Sequence, residues 1–419
     1  MNVELINTGS ELMLGRVLNS HQRWLCRRLA DIGRPVTRQV AVADTAVAIG
    51  DAVSEGLRRA ELVITTGGLG PTADDVTRER VAGLLGRRLV ENADARAGIL
   101  AFFAARGRAV PDRVLVQALV PEGATVLPNA NGTAPGLAIG VEEGRFGPHA
   151  AWLIMLPGPP RELYPMFDGQ VLPLLPQVLP PSVPFHCVTL RTTGLGESWV
   201  EEQLDPHLAS WRERGLEIGY CARTGEVDVR LVARGAEGAA LVGGAAVMVR
   251  EQLGPAVYGT GDEAIESAVI ALAANRGARL TVAESCTGGL LAHRLTNVPG
   301  ASAVFWGGWI AYDNQAKQGL LGVDAALLRE QGAVSEACAA AMAEGALARA
   351  GATHAVAITG IAGPSGGSPE KPVGTVYIGL AQAGRCTEVL QRLHPYDRET
   401  FKQVTTQHAL DALRRRLLP

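Results

Sequence analysis

Twice along this chain, short apolar runs that read as buried strands alternate with longer stretches of helical period. That alternation limits the possible folds more than any other feature. In the first region "VELINT" (3–8), "PVTRQVAVA" (35–43) and "LVITTG" (62–67) are separated by helical segments. These are "SHQRWLCRRLADIG", a helix opened by Asp44 as N-cap and running to about Arg59, and a helix after Asp74 and Asp75. In the second region "ARLTVAE", "AVFWGGWIAY", "HAVAITG" and "TVYIGLAQ" alternate with helices that include "EACAAAMAEGALARAG". Strands joined through helices build a parallel sheet with both faces covered, so each region predicts a three-layer α/β domain.

Between the two regions, "LPLLPQVLPPSVP" (172–184) is dense in proline. Proline lacks an amide donor and clashes with the preceding helical turn, so 171–184 is expected to be a linker rather than helix or central strand. Beyond it, 185–258 reads as strand, helix, a strand pair meeting at Thr224-Gly225, and a second helix. The expected fold class is therefore α/β: two three-layer α/β domains (1–170 and 259–419) joined by a small α+β module of β-α-β-β-α order.

Composition excludes some partners. A hydrophobic content of 47% over 419 residues is enough for several cores, and a formal net charge of −3 carries no footprint for nucleic acid. Arg58-Arg59, Arg87-Arg88 and Arg414-Arg415-Arg416 read as solvated helix faces. No apolar run reaches the roughly 20 residues that cross a bilayer, and the N-terminus lacks a basic start followed by an apolar core. The expectation is a cytoplasmic protein with neither a membrane nor a nucleic-acid partner. The six cysteines form no C-x-x-C pair and read as reduced, mostly buried thiols.

In α/β sheets, ligands collect where strands end and helix N-termini begin. Three such ends in the last region carry polar or flexible residues. "ESCTGG" (284–289) presents Ser285 and Cys286 at the mouth of a helix, where backbone N–H groups suit an anion or an oxyanion. "YDNQAK" (312–317) places Lys317 near the start of a helix capped by Asp313 or Asn314; the helix dipole and partial burial there both favour the neutral amine, a candidate general base. "ITGIAGPSGGSPEKPVGTVYIG" (358–379) has the composition of a phosphate cradle. Together the three loops offer a nucleophile, a base and an anion site, the parts needed for acyl transfer on a phosphorylated substrate. Cys286, a better intrinsic nucleophile, has no histidine motif beside it and reads as a small apolar filler.

In the first region "VITTGGLGPTADDVT" (63–77) sets Asp74 and Asp75 after a glycine-rich turn. Capping alone accounts for one of these carboxylates; two in a row beside a phosphate-sized loop also suit a divalent cation. "NTGSELMLG" (7–15), "NGTAPG" (131–136) and "LPGPPREL" (156–163) are further loops of the same kind.

"AESCTGGLLA", "GGWIAYDNQAK", "GAVSEACAAAMAEGA" and the 358–379 segment, in this order over about 150 residues, resemble the C-terminal domain of the CinA (competence/damage-inducible) family. That domain is related to stand-alone nicotinamide mononucleotide deamidases. The resemblance implies hydrolysis of nicotinamide mononucleotide (NMN) to nicotinate mononucleotide and ammonia, without a metal or other cofactor. It implies Ser285 as nucleophile, Lys317 as its base and Tyr312 as the group that orients or relays the proton. Thr287, Gly288, Gly289, Asn314, Thr359, Gly360, Ala362 and Gly363 are then implied to bind the nucleotide. Asp313 stands where the family commonly has serine.

The first-region loops resemble the family's molybdopterin-binding-like domain. They imply metal-dependent cleavage of ADP-ribose to AMP and ribose 5-phosphate, with Mg, Mn or Co. Asp74 and Asp75 would serve the metal, Asp75 catalytically as well, and Ser10, Glu11, Gly67, Gly68, Thr133 and Glu162 would line the pocket. Ala73 stands where a lysine is frequent, and Ser10 where threonine is usual. The family also suggests a homodimer. Two alternatives stand beside this reading: a non-enzymatic nucleotide-binding regulator, and adenylyl transfer of the molybdopterin type.

Overall fold

The computed structural model describes residues 1–179 and 183–418, and the chain divides into two compact units, Met1–His186 and Cys187–Pro419. The first unit opens with β1 (Val3–Thr8), β2 (Arg38–Val42) and β3 (Leu62–Thr66). Every residue of β1 and β3 is buried, as strands covered on both faces require, which is why they read as unbroken apolar runs. β4 (Leu89–Glu91) and β5 (Leu119–Pro121) form a separate antiparallel pair. β6 (Thr125–Leu127), β7 (Gly136–Val141) and β8 (Ala151–Leu156) complete a six-stranded sheet of order β2-β1-β3-β8-β7-β6. β2, β1, β3 and β8 are parallel, whereas β7 pairs antiparallel with both β8 and β6, so the sheet is mixed rather than the purely parallel one expected. Two apolar cores flank it, one on each face.

Several local expectations are corrected. Thr45, not Asp44, caps helix Ala46–Arg59, accepting from the Ala48 amide. Asp44 instead accepts from the Ser10 amide at 2.8 Å, holding the start of the short helix Ser10–Met13. Arg87 and Arg88 lie beyond helix Thr77–Leu84, and Arg87 donates to the Glu122 and Gly140 carbonyls. Arg414 is buried against Asp411 rather than solvated.

The proline-dense segment is also partly helical. Pro160–Met166 continues through a wide turn, Phe167–Val171, into helix Leu172–Val178. Pro173 sits in the first turn, where its missing amide costs nothing. Pro176 removes one bond and costs about 3 kcal/mol, but Val171 and Leu175 are buried in the core with Leu25 and Leu29, at about 1.5–3 kcal/mol each. Residues 180–182 of the expected linker lie outside the described residues.

In the second unit β9 (Phe185–Thr193), which begins at the boundary, helix Glu197–Glu213, β10 (Glu217–Arg223), β11 (Glu226–Arg234) and helix Gly238–Leu253 follow the expected β-α-β-β-α order. A fourth strand, β12 (Val257–Thr260), pairs antiparallel with β9 and gives the order β10-β11-β9-β12. The remaining strands are β13 (Leu280–Glu284), β14 (Phe305–Ile310), β15 (His354–Gly360), β16 (Thr375–Gln382) and β17 (Glu388–Leu393), in the order β14-β13-β15-β16-β17. β14, β13 and β15 are parallel; β16 pairs antiparallel with both β15 and β17. Helix Glu336–Ala350, capped by Ser335, lies so close to β16 that a Cβ at Gly379 would meet the Ala339 carbonyl at 2.4 Å. Its alanine-rich face permits that approach. The opposite face is covered by helices Ile265–Asn275 and Arg398–Arg416.

All six cysteines are free, but only Cys286 and Cys338 are buried, fewer than expected. No helix among the described residues is long and apolar enough to cross a membrane.

Candidate functional site

Because β14, β13 and β15 are parallel, the loops after Glu284, Ile310 and Gly360 leave the sheet at the same edge. The end of β13 is pinned on both sides. The Ala311 amide donates to the Glu284 carbonyl at 2.8 Å, and the Ser285 amide donates to Ile358 at 2.9 Å. This delivers Ser285, 8% exposed, to Lys317, 1% exposed, with Oγ and Nζ 3.1 Å apart.

Lys317 also donates to the carbonyls of Ala311 and Tyr312, each at 3.0 Å, and has no carboxylate partner among the described residues. Burial is the main influence on its pKa, and it pushes the ammonium below its ordinary value of 10.5; Asp313 and the thiols of Cys338 and Cys286 oppose this weakly. A neutral amine has two N–H donors and one lone pair. Two carbonyls and one serine hydroxyl, whose oxygen can accept or whose proton can be given, suit the ammonium and the neutral amine alike, so it is burial that favours the neutral form. As expected, Asp313 caps helix Asn314–Leu321, accepting from the Gln315 amide at 2.7 Å.

Cys286 lies in the apolar core, and burial pushes its thiol up to about 12, so the thiolate is scarce near neutral pH. The helix mouth itself differs from expectation. Fully buried Glu284 accepts from the amides of Gly289, Leu291 and Ala292 at 2.8–3.0 Å. The protein's own carboxylate thus occupies the anion position of helix Leu290–Thr296. Gly288 and Gly289, at φ of +61° and +97°, turn the chain so that this can happen. Among the described residues, the amides of Cys286 and Thr287 take no partner from another residue, and the buried hydroxyl of Thr287 has none either.

Tyr312 belongs to the cluster through its carbonyl. Its ring is exposed, and its hydroxyl accepts from Arg398 at 2.8 Å rather than meeting Ser285 or Lys317. Arg398 donates as well to the Gly363 carbonyl at 2.9 Å, and the position a Cβ would take on Gly288 is 3.7 Å from Lys402 Nζ. Sequence reasoning missed both cations. They lie on the C-terminal helix, far from the loops in sequence, and the only available signal was the Asp397 cap that sets Arg398 in the first turn. Thr359 is buried and spends its hydroxyl on Ala333, and a Cβ at Gly360 would meet the Thr375 carbonyl at 2.8 Å. Asn314 is exposed beside the cap and Ala362 is buried next to Gly363.

In the first unit the ends of β1, β3 and β8 and the start of β7 lie side by side. The loops carrying Ser10 and Glu11, Gly67 and Gly68, Glu162, and Thr133 therefore meet at one edge. Gly67 fits directly against Thr8, where a Cβ would be 2.6 Å from the hydroxyl, and buried Glu162 accepts from Asn129 at 2.9 Å across Gly132. Thr133 lines a separate cavity of about 420 Å³ with Asn129 and Phe102. Asp75 folds back onto its own turn, accepting from the Thr72 amide at 3.0 Å and from its hydroxyl, while Asp74 is exposed. No group of three His, Cys, Asp or Glu side chains able to hold a metal is present among the described residues. The two aspartates do not form a cage by themselves, so a metal here would need ligand oxygens as well.

Residues 4–177 match the model described as a probable molybdopterin binding domain, 188–259 the damage-inducible protein CinA KH domain, and 262–417 the CinA C-terminal domain. A CinA-like protein of Akkermansia muciniphila is 45% identical over 413 residues, covering 99% of this chain and 97% of that protein. The chain belongs to the CinA family. A putative competence-damage inducible protein of Moorella thermoacetica is 44% identical over 421 residues, covering 100% of this chain and 99% of its own. Among solved structures, the competence/damage inducible protein CihA from Agrobacterium tumefaciens is 41% identical, covering 36% of this chain and 91% of that one with a TM-score of 0.35. This CinA chain thus joins a molybdopterin-binding-like domain, a KH-type module and the CinA C-terminal domain.

Proposed function

We propose that the C-terminal domain hydrolyses the amide of nicotinamide mononucleotide. The observation that carries this reading is the buried Ser285–Lys317 pair, 3.1 Å apart, in which burial pushes the amine toward its neutral form. Ser285 Oγ attacks the carboxamide carbon while its proton passes to Lys317 Nζ, and the tetrahedral oxyanion is held by the amides of Cys286 and Thr287. Lys317 returns the proton to the departing ammonia. Water, deprotonated by the same amine, then releases nicotinate mononucleotide. Arg398 and Lys402 supply positive charge for the phosphate, and Tyr312 lines the rim through its bond to Arg398. No metal enters these steps.

For the N-terminal domain we propose cleavage of ADP-ribose to AMP and ribose 5-phosphate, assisted by a Mg, Mn or Co ion. The support is the meeting of four loops at one sheet edge. Asp74 and Asp75 would hold the ion together with pyrophosphate oxygens, and the ion would neutralise charge on the cleaved phosphoanhydride. Edge strand β14 exposes Trp306 and Ile310, and Tyr312 is exposed just after it; this apolar surface supports a homodimer.

The test is ammonia release from NMN by the full chain in excess chelator. We expect Ser285→Ala to lower the rate at least about 10³-fold and Cys286→Ala to leave it within about threefold. Equal loss in both variants would remove Ser285 as the nucleophile.

A further inference from the structure

Away from Ser285, the second unit contains a cavity of about 790 Å³ bounded by β16, β17 and the last turns of the C-terminal helix. Five guanidinium groups line it, those of Arg276, Arg385, Arg392, Arg415 and Arg416, together with two carboxylates, Glu388 and Asp411. Arg416 pairs with Glu388, while Arg414 and Arg415 pair with Asp411. The guanidinium groups of Arg276 and Arg385 have neither hydrogen-bonded nor ion-paired partners among the described residues. They act on one neighbourhood even so: after burial, Arg416, Arg276 and Arg385 are what hold the His354 imidazole below its ordinary pKa.

Ordinary helix termination explains part of this charge. Arg276 follows helix Ile265–Asn275, and Arg414, Arg415 and Arg416 end helix Arg398–Arg416, where cations are favoured. Each helix end contributes about half a negative charge, and even after the two carboxylates an excess of about two positive charges remains. Arg385 and Arg392 belong to no helix.

The rest of the lining points to more than a free anion. Ile378, Leu380 and Leu390 give an apolar wall. The side chains of Gln382 and His408 also border the cavity.

We infer that this cavity is a further small-molecule site, distinct from both of those proposed above, taking a phosphate-bearing ligand of nucleotide size. The guanidinium groups pair with phosphate oxygens, and the apolar wall covers a flat heterocycle. The cavity volume suits one such molecule, and Ser285, Lys317 and Arg398 take no part in it.

The test is calorimetric titration of the full chain with tripolyphosphate and with AMP, at low salt and at high salt. Wild-type protein should bind both saturably, and the double variant Arg276→Glu/Arg385→Glu should bind each at least tenfold more weakly. Salt should weaken the wild-type interaction. AMP bound at the N-terminal loops would persist in the double variant, so the difference between the proteins, not binding alone, assigns the site. If the charge reversal lowers the ligand-free melting temperature, Arg276→Gln/Arg385→Gln gives the same comparison with less disturbance. Unchanged affinity for both probes in a folded variant, or no binding of either to wild type, overturns the inference. Because the readout is binding, it stands or falls independently of amide hydrolysis.

Discussion

Ser285 and Lys317 are almost fully buried and 3.1 Å apart, whereas Asp74 is exposed and Asp75 spends its carboxylate on Thr72 of its own turn. Both clusters sit where strands end, on sheets of related design. The C-terminal cluster is preassembled because strands on either side of β13 fix the backbone at Ser285, and the amine is held by two main-chain carbonyls. The N-terminal cluster has its glycine turns and loops in place but leaves its charges to solvent or to local capping. A ligand entering the C-terminal site meets Ser285 and Lys317 already paired, whereas Asp74 and Asp75 are not gathered into a cage.

The sharpest way to break this contrast is Lys317→Met. Amide hydrolysis should fall at least about 10³-fold, measured as ammonia release, because the base is lost. The folded state holds the Lys317 pKa below 10.5. Below that lowered value both folded and unfolded chains carry the proton, and the cost of burying the cation is fully present. Between the lowered value and 10.5 the unfolded chain binds more protons, so stability rises with pH across this window. Lys317→Met should lose this rise of stability with pH, measured by urea unfolding across the window. Wild-type kcat/KM should rise with pH to a midpoint below 10.5. Less stability together with full activity in Lys317→Met would mean that the lysine is structural.

Glu284→Gln probes the preassembly itself. Three amides lose a charged acceptor, and we expect a loss of about 3 kcal/mol in unfolding free energy, with activity lost in proportion as the Ser285 turn loosens. A change under about 0.5 kcal/mol would show that the turn does not depend on this carboxylate.

On the other side of the comparison, Asp75→Asn should reduce AMP formation from ADP-ribose about 10- to 100-fold at saturating Mn while moving stability by less than about 1 kcal/mol. A stability loss without a loss of activity would identify Asp75 as a turn cap alone. The smallest effect is expected from Arg398→Ala, which should raise KM for NMN about tenfold and change kcat much less. A fall in kcat with KM unchanged would instead place Arg398 in the chemical step.

Much of this was legible from local pattern. β1, β3, β13 and β15 are buried on both faces and read as continuous apolar runs, and Asp313 was readable as a cap beside Lys317. The antiparallel strands β7 and β16 were not distinguishable from parallel ones, because both are buried on both faces and direction leaves no mark in composition. The helix at Leu172–Val178 was hidden because proline propensity acts locally, while the burial of Leu175 that outweighs it is a tertiary contact. Glu284 is harder still. As the last residue of a strand it looks like a polar boundary, yet it folds onto the helix mouth that had been read as an anion site.

Sequence alone determined the strand-and-helix alternation, the loops that would carry chemistry and the residue types on them, since these depend on periodicity and short-range turn chemistry. Only the tertiary structure decided which groups share a site. Ser285 meets Lys317 because parallel pairing aligns the ends of β13 and β14, and Arg398 joins them because the C-terminal helix packs across the same sheet. The protonation of Lys317 was decided there too: removal from water sets it, and burial depends on every element that closes around the amine.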